Sequence, residues 1–258
     1  MTPEEWLKVC DGITDRMRAH TRAFVTAVSS RVGSYPKLIG SGSYVVRDGQ
    51  RLLLTCEHVA KQPDLEHQFW ASDRQWPIRE PFTLKPDPID AAWWVVPDEM
   101  WSGTKHASQA IPYERFAPWH SLADPAEVLF FRGFAGENAY YDWVDYHTPG
   151  SGYCSQEKRD VKHDPRIVEI LWEPEKTTIT STTTEESRQR MKFSDPAGFS
   201  GSLLWNTRYV ECRLAGQEWH PGRAMVTGLV RRYDPATSTV LALRVEHLRA
   251  AMEGDPAA

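Results

Sequence analysis

The sequence predicts an all-β fold, and three observations carry that prediction. Short apolar or β-branched runs recur along most of the chain, Gly and Pro punctuate them, and helical periodicity is confined to the two ends. Many short strands with little helix between them argue for barrels or a sandwich. A length of 258 residues allows one large or two small cores, and a double barrel of this size counts as one domain.

The elements follow in order. Thr2 and Glu5 have the form of a capping box with Pro3 at the first helical position, and Trp6, Val9, Cys10, Ile13 and Met17 recur at helical spacing. An amphipathic helix is therefore expected over residues 1–20. From about Thr21 the chain turns β-rich at 23–28, and Gly40-Ser41-Gly42 leads into a second strand through Val46. Asp48-Gly49 reads as a tight turn, because both residues tolerate positive φ, and 51–55 as the return strand. Further strands are expected at 91–96, 128–132, 140–146, 167–172, 177–182, 202–205, 224–230 and 239–243. Residues 245–252 combine good helix formers with an apolar stripe, so a short helix is expected to close the fold. No internal repeat is present, and the only biased stretch, 177–186, is rich in Thr and Glu.

Composition excludes several functions. The net charge is -5 with both signs mixed along the chain, and Arg231-Arg232 and Lys158-Arg159 are too short to be nucleic-acid patches. Neither nucleic acid nor a membrane surface is an expected partner. Met1-Thr2-Pro3-Glu4-Glu5-Trp6 carries acid where a signal peptide needs a basic start, and no apolar run approaches the roughly 20 residues that span a bilayer. A cytoplasmic location is expected. Cys10, Cys56, Cys154 and Cys212 form no Cys-x-x-Cys pair, and His106, His120, His147 and His163 lack ligand spacing. Reduced, mostly buried thiols are expected, with no metal and no cofactor.

Three segments carry chemistry. In Asp195-Pro196-Ala197-Gly198-Phe199-Ser200-Gly201-Ser202, a serine stands between glycines just before an apolar strand. Acyl transfer needs such a tight bend, which presents the Ser200 hydroxyl while the amides of Gly198 and Ser200 face a developing oxyanion. Gly-x-Ser-Gly alone is common, so its company matters. In Leu53-Leu54-Thr55-Cys56-Glu57-His58, a strand runs into a histidine suited to act as general base. In Asp87-Pro88-Ile89-Asp90-Ala91-Ala92-Trp93, an aspartate stands at the mouth of an apolar strand, where its carboxylate can accept the imidazole N–H. Asp90 is favoured because the strand follows it directly; Asp87 is the alternative should the strand begin earlier.

Together these segments resemble the trypsin-like (chymotrypsin-fold) serine peptidases, and among them the short bacterial branch with the HtrA-type and glutamyl-specific enzymes. Gly40-Ser41-Gly42, Leu54-Thr55-Cys56-Glu57-His58-Val59, Asp90-Ala91-Ala92 and Gly198-Phe199-Ser200-Gly201 stand in that family's order. The resemblance covers about residues 20 to 250. It implies two six-stranded antiparallel Greek-key barrels, one over 21–135 with His58 and Asp90 and one over 136–258 with Ser200, with 128–134 ending the first.

By the same resemblance the enzyme is a serine endopeptidase, with Gly198 and Ser200 forming the oxyanion hole and protein or peptide as substrate. Ser194 falls at the base of the specificity pocket, and Val230, Arg231 and Arg232 flank an extended substrate, the arginines favouring an acidic side chain. Phe199 stands where cleavage-activated members carry an aspartate, so activation by an ion pair to that position is not expected. Gly201-Ser202-Leu203 departs from the common Gly-Gly-Pro. The alternatives are a peptide-binding module without turnover, or a latent protease switched on by cleavage or by a partner, for instance through the N-terminal helix.

Overall fold

The computed structural model describes residues 3–33, 35–142, 145–158 and 164–254. Thr2, Arg159 and His163 lie outside them. Helix α1 (Pro3–Thr21) has Glu4 and Glu5 in its first turn and Arg18 and His20 in its last, matching the helix dipole at both ends. Its apolar stripe faces the main core, with Ile13 and Met17 buried inside it and Trp6, Val9 and Cys10 half-buried against it. It ends where the Thr21 hydroxyl turns back to donate to the Met17 carbonyl at 2.8 Å.

Strands β1 (Val25–Val32), β2 (Tyr35–Arg47) and β3 (Gln50–Thr55) follow as antiparallel neighbours. Asp48 and Gly49 have φ of 49° and 78°, so the turn joining β2 to β3 has the two positive-φ residues that the Asp-Gly pair predicts. After helix α2 (Glu57–Ala60) come β4 (Leu65–Gln68), β5 (Gln75–Pro77), β6 (Thr83–Lys85) and β7 (Ala91–Val95). Helix α3 (Asp98–Gly103) and the short β8 (Ile111–Pro112) complete this half. The order is β5-β4-β1-β2-β3-β7-β6, with β8 beside β2. Eight strands stand here where six are expected, because short polar pieces such as Leu65-Glu66-His67-Gln68 pair without an apolar signature.

The second half contains β9 (Leu129–Phe134), the antiparallel pair β10 (Tyr140–Asp142) and β11 (Asp145–His147), β12 (Gly150–Ser155) and β13 (Ile167–Leu171). Helix α4 (Glu185–Arg190), β14 (Leu203–Asn206), helix α5 (Tyr209–Leu214), β15 (Met225–Asp234), β16 (Thr239–Arg244) and helix α6 (Val245–Glu253) follow. Six strands form the order β12-β9-β14-β15-β16-β13. The chain just after β12 closes the ring onto β13, with Lys158 N donating to Glu169 O (2.7 Å) and Leu171 N to Gln156 O (3.0 Å).

Two expectations are corrected. β9 pairs with β12 and β14, so it belongs to the second sheet and the halves divide before Leu129, not after Ala135. Its buried Leu129 and Phe131 pack with Tyr153, Val168 and Leu204 of that sheet. Residues 177–182 form no strand. Their hydroxyls bind other partners: Thr177 bonds to Tyr153, while Ser181 and Thr182 donate to Asp11 and Asp15 of α1 at 2.9 and 2.6 Å. The four cysteines are free, and no helix among the described residues is long and apolar enough to cross a membrane.

Candidate active site

β3 delivers His58. The strand ends at Thr55, whose hydroxyl donates to the Ser41 carbonyl (2.7 Å), and α2 begins two residues later, after Cys56, with Val59 buried beneath it. Gly40 of β2 passes over that valine so closely that a Cβ there would lie 2.7 Å from Val59 Cγ2. The imidazole itself remains about half exposed.

Asp90 stands immediately before β7 at φ 50°, a left-handed conformation that aspartate tolerates better than most residues. That turn drives the carboxylate inward, where it is 5% exposed. Asp90 Oδ1 and Oδ2 lie 3.0 and 2.9 Å from His58 Nδ1, and Oδ1 also accepts the His58 amide at 3.1 Å. An ionised carboxylate only accepts, so Nδ1 carries a proton, which in the neutral ring leaves the lone pair on Nε2. Burial pushes the Asp90 carboxyl up, but the His58 ring and amide and the charges of His58 and Arg231 outweigh it and hold the group below its ordinary value.

The nucleophile loop is a tight turn closed by Phe199 N donating to Pro196 O at 3.2 Å, with Gly198 at φ 103°. Glycine is required there, since a Cβ would lie 2.5 Å from the Phe134 carbonyl oxygen. Gly201, at φ 93°, is as constrained: a Cβ would lie 2.0 Å from Ser41 O. Among the described residues the amides of Gly198 and Ser200 have no acceptor. Phe199 is buried edge-on against Phe131 (5.1 Å between ring centres), so the position before the serine anchors the loop by packing.

Ser200, His58 and Gly198 line one cavity of about 290 Å³. Ser200 Oγ donates to the Arg231 carbonyl at 2.6 Å and makes no hydrogen bond to His58. Catalytic contacts of this kind often tighten only with substrate bound.

The other expected residues fall differently. Ser194 is exposed, donates to Glu137 Oε2 at 2.6 Å and does not line the cavity, whereas its neighbour Asp195 does. Val230 contributes its backbone, accepting Gly201 N at 2.8 Å, while its side chain is buried. Arg232 lines the cavity with its side chain largely exposed, 3.4 Å from Asp87.

The expectation that the Arg231 side chain meets an acidic substrate group is corrected. β15 shifts register between Val230 and Arg232, and this bulge turns the 4% exposed guanidinium inward onto Asp90, Pro88 and Asp87. Asp87 is largely exposed and serves the two arginines, and it is Asp90 that contacts His58.

The sequence reading missed Ser41. Its hydroxyl donates to Gly198 O (2.7 Å) and accepts from Phe134 N (2.9 Å), and its amide donates to Ser200 O (2.8 Å). Only its position between two glycines marked it. Cys56 Sγ lies within 4.8 Å of donor atoms of His58 and Asp90, but this is proximity within the site and not a ligand set. Burial pushes the Cys56 thiol well up, it donates to Val230 O at 3.2 Å, and His58 Nδ1 is engaged by Asp90.

No protein-family model matches the sequence, and no curated protein matches it either. Solved structures do. A protease from M. tuberculosis in its active form has TM-score 0.51 at 14% identity over 94% of this chain and 85% of that one. The serine endoprotease from Yersinia pestis has TM-score 0.52 at 14% identity over 93% of this chain, which spans 65% of that one. Human heparin binding protein has TM-score 0.54 at 9% identity over 90% of both. The fold is that of the trypsin-like serine proteases, a chymotrypsin-like double β-barrel with a helix at each end.

Proposed function

We propose that this chain is a serine endopeptidase. His58 takes the proton from Ser200 as its oxygen attacks a peptide carbonyl, Asp90 orients the imidazole and stabilises the imidazolium, and the amides of Gly198 and Ser200 hold the oxyanion. The imidazolium then gives that proton to the departing amine as the peptide C–N bond breaks, and water, with His58 again as base, releases the acyl group from Ser200. The observation that carries this reading is the doubly hydrogen-bonded His58–Asp90 pair on the same cavity as a glycine-flanked serine. Low identity to the solved structures supports the fold alone, so the chemistry rests on this geometry.

The substrate is an extended protein or peptide segment laid beside Arg232 and Tyr233 of β15. Four free thiols fit a reducing, cytoplasmic setting, and the motif order fits a bacterial enzyme. Regulation by a partner at the outer face of α1 belongs to the same proposal.

A fluorophosphonate probe read by intact mass tests the chemistry. Wild type is expected to gain one adduct, and Ser200→Ala and His58→Ala none. A folded wild type that gains no adduct, alone or with cell extract, would turn the reading to a peptide-binding module; an adduct formed only with extract would mark a latent enzyme.

A further inference from the structure

Among the described residues, Arg231 hydrogen-bonds to both Ser200 and Asp90, the two ends of the candidate triad. Its carbonyl accepts Ser200 Oγ at 2.6 Å. Its guanidinium donates from Nε to Asp90 Oδ2 (3.2 Å), from Nη1 to the Pro88 carbonyl (2.8 Å) and from Nη2 to Asp87 Oδ1. The bulge in β15 makes it the extra residue of the strand, which frees its side chain from the ladder's alternation and aims it across the boundary between the two sheets. The planar guanidinium donates from three separate nitrogens held in one rigid fork, so it spans three spaced acceptors, whereas an ammonium donates from a single nitrogen.

We propose that Arg231 is a positioning residue, tying Asp90 of the first half to β15 of the second and setting how readily His58 holds a proton. This rests on the reading of His58 as a base, and it deepens that reading. Asp90 Oδ2 is shared between His58 Nδ1 and Arg231 Nε, so two donors compete for one buried carboxylate. When His58 becomes imidazolium, the positive charge of Arg231 offsets part of the stabilisation that Asp90 supplies. The charged and titratable groups around it are Cys56, His58, Asp87, Asp90, Arg232 and Asp164. Among them Asp90 is buried, whereas the Asp87 side chain is 75% exposed and screened by water.

A plain structural ion pair would hold the halves together without moving His58's titration. The test is NMR titration of the His58 ring in the full chain, a readout that needs no catalysis, with fluorophosphonate labelling across pH beside it. In Arg231→Met the His58 pKa is expected to rise by about one unit, and the acid limb of labelling to rise with it. In Arg231→Lys, which keeps the charge should methionine not fold, His58 is expected to titrate within a few tenths of a unit of wild type. The lysine donates from one nitrogen and cannot span the positions that the three guanidinium nitrogens reach, so the His58 Nδ1 proton should exchange with water at least tenfold faster than in wild type.

A folded methionine variant with an unmoved His58, or a lysine variant with wild-type proton exchange, would overturn the proposal. A wild type unlabelled even with cell extract, whose His58 nevertheless shifts in Arg231→Met, would sink the protease reading and leave the clamp standing.

Discussion

Ser41 joins the halves of the site through four hydrogen bonds: its hydroxyl to Gly198 and Phe134, its amide to Ser200, and its carbonyl to Thr55. Ser41→Ala strands the Gly198 carbonyl and the Phe134 amide, a loss of about 1–3 kcal/mol. Labelling of Ser200 is expected to slow at least tenfold, since the Gly198 amide is one of the two donors of the proposed oxyanion hole. Wild-type labelling by the alanine variant would mean that the glycine turn holds itself. Asp90 makes a pH prediction. Its folded pKa is below the ordinary 3.8, so its stabilisation is complete above that value and is lost as pH falls through the folded one. Urea unfolding between about pH 2 and 6 should show this loss in wild type and not in Asp90→Asn; parallel curves would remove the linkage.

Helix α1 grips the molecule in two ways. Its inner face buries Ile13 and Met17, and its outer edge places Asp11 and Asp15 on the hydroxyls of Ser181 and Thr182. Magnitudes decide between them. Met17 is fully buried, and Met17→Ala should cost about 2–5 kcal/mol. The Asp–hydroxyl contacts are exposed, and Asp15→Ala should cost no more than about 1 kcal/mol. Thermal unfolding of the two variants checks the ranking, and a larger loss for Asp15→Ala would show that α1 is held mainly by its edge. The sequence disclosed the buried stripe of α1 but not its outer contacts, because a stripe is periodic while a hydroxyl partner more than 160 residues away leaves no local trace.

Across the whole molecule the main core is shared. Ile13 and Met17 of α1, Val28, Val45 and Leu54 of the first sheet, and Leu203, Leu229 and Leu248 of the second half belong to one apolar cluster. The site lies where the halves meet, with His58 and Asp90 from one and Ser200 from the other. Unfolding is therefore expected to be one cooperative transition by calorimetry and fluorescence alike. Two resolved transitions would mean that the halves fold separately and that the site assembles by docking.

The sequence by itself determined the all-β class, the Asp48-Gly49 hairpin and the terminal helices, and it nominated His58, Asp90 and Ser200, of which the structure pairs His58 with Asp90. Each of these is written locally: His58 ends an apolar strand, Asp90 opens one, and Ser200 sits in a glycine turn that precedes one. The tertiary structure decided the placement of β9, the coil at 177–182, the surface position of Ser194 and the inward turn of Arg231. These depend on which strand a segment finds as neighbour and on a one-residue bulge that reverses where a side chain points. A strand's composition sets that it pairs; only the assembled sheet sets with what, and which way each side chain faces.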